Sequence, residues 1–215
     1  DWSSDVCSSD LVMLRVDELT RRDHGLGLGP LSFQIEQGEC LALTGPSGAG
    51  KSLLLRAVVD LDPNLGEVIA DGRRRSGTPA PRWREIVRYF PADPGWWLDR
   101  VGDHMADKPA ARDLLASLGF DDPDAVMSWQ VSRLSSGERQ RLALVRGLLG
   151  DARVLLLDEP TSALDVENRD LVEALLRGRL EQGNAILLVS HDPAQGARLA
   201  ERSLRLEQGR LGSLS

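Results

Sequence analysis

The segment Gly45-Pro46-Ser47-Gly48-Ala49-Gly50-Lys51-Ser52 constrains this chain more than any other. Its spacing, GxxxxGK[ST], places glycines where the backbone must turn sharply and come close to another group. Such a loop works when a strand delivers it and a helix leaves it. Its amide N–H groups then converge on one concavity, and the positive end of the helix faces the same point. The flanks agree. Cys40–Thr44 is an apolar run that reads as a strand, and a helix is expected from about Lys51 to Asp60, closed by Asp62-Pro63-Asn64. The concavity suits a triphosphate. Gly45, Pro46, Ser47, Gly48, Ala49 and Gly50 would wrap the phosphates, Lys51 would set its charge against them, and the Ser52 hydroxyl would ligate Mg2+.

More than a hundred residues later, the apolar run Val154-Leu155-Leu156-Leu157 ends in Asp158-Glu159. An isolated carboxylate at the end of a buried strand is costly. A Mg2+ ion held by ATP accounts for Asp158 as a metal ligand, and Glu159 is then placed to orient or deprotonate an attacking water. Acid–base help of that kind is typically worth ~10²–10⁴-fold in rate.

Between these two segments lies Leu134-Ser135-Ser136-Gly137-Glu138, which taken alone is a helix-capping box before an apolar run. In this order and spacing the three segments resemble the ATP-binding cassette (ABC) ATPases, over nearly all of the chain from about Met13. The usual family segment reads LSGGQ; here Ser136 replaces the first Gly and Glu138 the Gln. The resemblance implies that Ser135 and Gly137 touch the γ-phosphate bound to a second protomer. ATP would then join two cassettes head to tail, as a homodimer or as a heterodimer with a related cassette. It also implies that Ser162-Ala163-Leu164-Asp165 couples the two sites, and that His191 touches the γ-phosphate during catalysis. Two positions depart from the family pattern. The glutamine at the entry to the helical insert aligns with Ala92, and the adenine-stacking aromatic falls near Arg21–Gly25, where His24 is the candidate.

The order of elements predicts an α/β fold of ABC type within the P-loop NTPases. A mixed, largely parallel sheet forms the core, with an antiparallel β subdomain and a small helical insert. Strands are expected at Leu14–Leu19, Leu31–Glu36 and Cys40–Thr44, followed by a strand pair near Glu67–Ala70 and Ile86–Phe90. From about Ala92 to Val131 helical patterns such as Ala110–Leu118 take over. Helix Ser136–Leu149, strand Arg153–Leu157, helix Glu167–Glu181 and strand Ala185–Val189 then alternate. Residues 13–215 read as one ATPase domain with a helical subdomain at about 92–150. The opening stretch, residues 1–12, has no periodicity or capping pattern and resembles the in-frame translation of a sequencing-library adapter, so it is expected to be a non-native tail.

The chain's 215 residues suit one domain of this kind. Its net charge of −7 and the absence of a basic stripe argue against a nucleic-acid partner. No apolar run approaches the ~18 residues needed to span a bilayer. Cys40 reads as a buried thiol, Arg73-Arg74-Arg75 as a solvated turn, His104 as a surface residue, and Trp83 and Trp129 as plain packing. Trp96-Trp97 suits either the core of the insert or an exposed patch for a partner. The resemblance implies an ATPase subunit, cytoplasmic and held at the inner face of the membrane by a separate transmembrane permease. The alternative is a non-transport ABC ATPase of the DNA-repair, translation or iron–sulfur type.

Overall fold

Three five-residue strands that are buried on both faces organise the molecule: β3 (Cys40–Thr44), β7 (Val154–Asp158) and β8 (Ala185–Val189). Their near-continuous apolar character is what a parallel strand covered on both sides requires. They lie in a six-stranded sheet with β6 (Val87–Phe90), β9 (Arg202–Glu207) and β10 (Arg210–Leu211), in the order β10-β9-β3-β8-β7-β6. All neighbours in it are parallel except β10 with β9. The computed structural model describes residues 11–21 and 27–212.

Alternate residues of these strands point into two cores. Leu41, Leu43, Leu156 and Leu187 join the first, which also holds α1 (Lys51–Val58) and the four-stranded antiparallel sheet. That sheet runs β2 (Leu28–Glu36), β1 (Val12–Arg21), β4 (Leu65–Ala70) and β5 (Arg73–Arg74). Leu155, Leu157, Ile186 and Leu188 enter the second core. There they meet α5 (Ser136–Leu148) and α6 (Val166–Glu181), together with the insert that carries α3 (Lys108–Ser117) and α4 (Pro123–Ser128). Each fully buried leucine contributes ~1.5–3 kcal/mol to this arrangement. Cys40 is buried in the second core, and burial, with Glu39 adding to it, pushes its thiol up to about 12.

Several expectations need correction. Glu67–Ala70 and Ile86–Phe90 are not a pair. The first lies within β4 of the antiparallel sheet, while β6 edges the parallel one and Ile86 closes α2 (Ala80–Ile86). Arg75 is not solvated: its guanidinium is buried, donates to Gly66 O at 2.7 Å and contacts the Asn64 side-chain oxygen. His104 is also buried. Its Nε2 accepts from the Trp97 and Leu98 N–H groups at 3.2 and 3.1 Å, so Nδ1–H donates to Arg100 O at 3.0 Å. An accepting imidazole that organises a loop is indistinguishable from a surface histidine without its three-dimensional neighbours. Trp83 is fully buried, as a packing residue, and its indole N–H donates to Val58 O. Strand pairing starts inside the stretch read as a tail: Val12 pairs with Glu36, and Leu11 O accepts from Gln37 N–H. Residues 1–10 lie outside the described residues.

The C-terminal elements, α7 (Pro193–Leu199) and the two strands after it, escaped the sequence reading. The two strands are held by pairing with β3 and with each other, and α7 by a buried polar cluster. Glu173 on α6 is 2% exposed and accepts from Arg198 of α7 through Nε at 2.8 Å and Nη2 at 2.7 Å. Arg177 adds a contact at 3.3 Å. The hydrogen bonds from Arg198 are the first cause of a lowered Glu173 carboxyl pKa. Its ion pairs are therefore fully present at neutral pH and fade as pH falls through that lowered value. Glu173→Ala is expected to cost about 3 kcal/mol, the lower end for a broken buried pair, because Arg198 can regain water. Urea unfolding over an acid series should show the gap from wild type narrowing as pH drops.

Candidate active site

The strand register puts Leu43, Val189 and Asp158 in one row at the carboxyl edge of β3, β8 and β7. The segments that follow these strands therefore open onto the same edge, where ligands of open parallel sheets bind. After β3 comes the phosphate loop. Gly45 has φ 141°, and a Cβ there would lie 2.1 Å from Leu206 O, so no side chain fits. Gly50, at φ 100°, starts α1 in the left-handed conformation that glycine tolerates best. Lys51 is only 8% exposed and folds its ammonium back over the loop. It donates to Gly45 O at 2.8 Å and to Pro46 O at 3.1 Å. A buried cation held by carbonyls, with no salt bridge among the described residues, is arranged for an anionic guest.

The loop encloses a cavity of about 310 Å³, whose wall includes Ser47, Gly48, Gly50, Lys51 and Ser52 with Ala92, Asp158, Glu159 and His191. Segments from four separate parts of the chain meet there. Asp158 is 5% exposed, and its Oδ2 accepts from the Tyr89 hydroxyl at 3.1 Å. Burial pushes the Tyr89 phenol up, with the Asp158 charge adding to it, so the hydroxyl stays a donor. Glu159 has φ 53°, a strained value for a residue with a Cβ, and its N–H is held by Val189 O at 2.9 Å. Its Oε2 accepts from the His191 N–H at 3.1 Å. Its Oε1 lies 3.3 Å from His191 Nε2 yet is a buried oxygen without an aligned hydrogen bond. Burial raises the Glu159 carboxyl above its ordinary range, against the lowering effect of His191. That shift strengthens the carboxylate as a base.

Other sequence candidates sit apart. Ser135, Gly137 and Asp165 do not line this cavity. Ser135 caps α5 in a complete capping box: its Oγ accepts from Glu138 N–H at 3.2 Å, and Glu138 Oε2 accepts from Ser135 N–H at 2.8 Å. Gly137 rests against the 162–165 turn, where an added Cβ would stand 3.1 Å from Ala163 O. Asp165 caps α6 by accepting from Asn168 N–H at 2.9 Å. His24 lies outside the described residues.

Three supporting residues were missed. Gln140 is buried; its amide donates to Glu159 O at 2.6 Å and accepts from Ala163 N–H at 3.2 Å, tying α5 to the catalytic turn. Gln195 donates to Thr161 Oγ1 at 2.8 Å, which ties α7 to the same turn. Tyr89 holds Asp158. A polar side chain on the apolar face of a helix was the available signal for Gln140 and Glu173; for Tyr89 there was none, because a tyrosine in a strand is ordinarily packing.

The family model described as ABC transporter matches residues 28–162. The chain belongs to the ABC transporter family. Among its relatives is the aliphatic sulfonates import ATP-binding protein SsuB of Zymomonas mobilis, 38% identical over 86% of this chain and 78% of that one. The macrolide export ATP-binding/permease protein MacB of Vibrio parahaemolyticus is 32% identical over 93% of this chain but 34% of its own length. A solved bacterial Atm1-family ABC exporter with ATP bound superposes with a TM-score of 0.85 at 25% identity, covering 96% of this cassette and 39% of that chain. A dimeric cassette in a post-hydrolysis state with ADP and Pi has a TM-score of 0.81 at 23% identity, over 94% of this chain and 98% of that one, and shows the fold.

Because Lys51 is buried with carbonyls as its hydrogen-bond acceptors and no salt bridge among the described residues, Lys51→Ala is expected to leave the melting temperature of the nucleotide-free cassette unchanged or higher. ATP affinity should fall at least about tenfold, as for loss of a charge-assisted contact. Calorimetric titration with ATP, paired with a thermal melt, checks both halves.

Proposed function

We propose that this cassette binds MgATP, pairs with a second cassette around two nucleotides, hydrolyses them, and drives a separate membrane-embedded permease. The observation that carries the reading is the single cavity bordered by the phosphate loop, Asp158, Glu159 and His191. Residues 45–50 would wrap the triphosphate, and Lys51 would neutralise it. Mg2+ fits the donor set, since Ser52 offers a hydroxyl and Asp158 a carboxylate at the same cavity. When bound, the cation would supply charge compensation on the β- and γ-oxygens. The Glu159 carboxylate, which borders the cavity, would accept a proton from water as the water oxygen attacks the γ-phosphorus and the bond to the ADP oxygen breaks. His191, which spans Glu159 and the cavity, would steady the γ-phosphate.

Ser135 and Gly137 stand at the start of α5, away from the chain's own cavity, as residues serving a partner's nucleotide must. Asp165 begins α6 beside them and would lie at the same junction. The relatives named above are transporter ATP-binding proteins, which favours transport over repair, translation or cluster assembly. Among the described residues no helix is long and apolar enough to cross a membrane, so the cassette would reach the inner membrane face through its permease. The permease would seat in a groove of about 300 Å³ between β6, the insert and α5, whose wall includes Arg88, Pro91, Trp97 and Arg146. Trp97 is 70% exposed, whereas Trp96 packs against the second core, and the Arg146 guanidinium stacks on both rings at 4.6 and 4.7 Å. On this reading the two tryptophans would divide the roles that the sequence left open.

Glu159→Gln is expected to keep ATP binding and arrest hydrolysis, because the amide takes no proton from water. With ATP it should elute from size-exclusion chromatography as a dimer, and a monomer under saturating nucleotide would count against the mechanism. Trp97→Ala should weaken permease association while basal hydrolysis by the isolated cassette stays at the wild-type level. Trp96→Ala should instead lower the melting temperature. Equal loss of stability in both variants would place Trp97 in the core.

A further inference from the structure

Tyr89 is the one tyrosine in the sequence. It lies on β6, opposite Leu156 of the neighbouring strand, and packs against the first core while Phe90 turns to the second. Its hydroxyl reaches past the end of that pairing to donate to Asp158 Oδ2 at 3.1 Å. Asp158 is the last residue of β7 and borders the phosphate-loop cavity, as does Ala92, whose methyl group offers neither donor nor acceptor there. A carboxylate turns about a broad, two-fold torsion unless a partner fixes it. A donor seated on a rigid strand, aimed at one oxygen, sets the plane of the group and leaves the other oxygen to a cation.

We propose that Tyr89 is the positioning residue for metal–nucleotide binding, acting through Asp158. This rests on the reading of Asp158 as a Mg2+ ligand. The phenol is neutral and donates, so it orients the carboxylate without competing for the cation. It does from β6 what Ala92, three residues on and bordering the same cavity, cannot do with a methyl group. Partners of metal-ligating groups that act in this way typically change metal affinity 10–100-fold when removed.

The test compares wild type, Tyr89→Phe and Asp158→Asn, binding a fluorescent, non-hydrolysable ATP analogue first without Mg2+ and then over a Mg2+ titration. Tyr89→Phe should bind the metal-free analogue as wild type does and need about tenfold more Mg2+ for half-saturation. Asp158→Asn should lose the Mg2+-dependent gain in affinity. Growth on 3-fluorotyrosine labels Tyr89 alone, which provides a readout on the otherwise unaltered chain. Its fluorine resonance should move when Mg2+ is added to the nucleotide-bound protein, and should stay still in Asp158→Asn. If Asp158→Asn loses the Mg2+ effect while Tyr89→Phe keeps the wild-type titration, Tyr89 has no positioning role. A Tyr89→Phe variant that only melts earlier, with its Mg2+ titration unmoved, overturns the proposal in the same way. If Asp158→Asn itself keeps the Mg2+ effect, the metal assignment fails and the proposal falls with it.

Discussion

Burial of β3, β8 and β7 on both faces is the constraint on which the rest of this molecule depends. A strand covered on both sides has its backbone groups satisfied only by its neighbours, so the register among these three is fixed along their length. The same burial removes any freedom at their carboxyl ends. The phosphate loop, Asp158 and Ser190-His191 emerge from one edge because the strands carrying them cannot slide. Polar groups at that edge lie beside a low-dielectric interior, where an uncompensated charge is expensive and an anionic guest is correspondingly favoured.

Two layers of support converge on the turn after β7. From one side Gln140 of α5 holds the Glu159 carbonyl and the Ala163 N–H. From the other, Gln195 of α7 holds Thr161, and Arg198 joins Glu173 to Asp192, the residue after His191, at 3.5 Å. The segments on both sides of the Glu159 carboxylate are therefore anchored to helices rather than left as free loops. Such anchoring is what holds a catalytic group to a fraction of an ångström.

What the sequence made legible follows from the range of the interactions involved. Strands β3, β7 and β8 and helices α1, α5 and α6 rest on local pattern: apolar runs, caps, glycine spacing; the place of His191 at the site came instead from the family resemblance. The position of Ser135 as a helix cap was written in the same local code, whereas the cap made by Asp165 emerged with the structure. Other features rest on partners far along the chain. Tyr89 and Asp158 are 69 residues apart, and Gln140 reaches across 19 to the Glu159 carbonyl. Arg75 finds Gly66 and Asn64 only because β4 folds back beside it, and His104 is buried by tryptophans that read equally well as surface. The separation of β4 from β6 into different sheets was invisible for the same reason, since each is a short run of strand-forming residues and only the register with a third strand distinguishes them.

Glu159 gathers three adverse features in one residue: a left-handed backbone, a carboxyl group whose burial disfavours its charge, and an oxygen without an aligned partner. Each is costly by itself, the backbone alone by ~1–3 kcal/mol. His191 offsets the burial of the charge only in part, and a glycine or glutamine here would lessen one or more of these features. The left-handed backbone persists because the turn is held on both sides, by the Glu159 N–H on Val189 O and the Gln140 amide on Glu159 O. The left-handed turn is also what lets Glu159 follow Asp158 directly and still face the same cavity, since successive residues of a continuing strand would point to opposite faces of the sheet. Strain and raised basicity are thus consequences of one geometric demand, that two consecutive carboxylates serve one site.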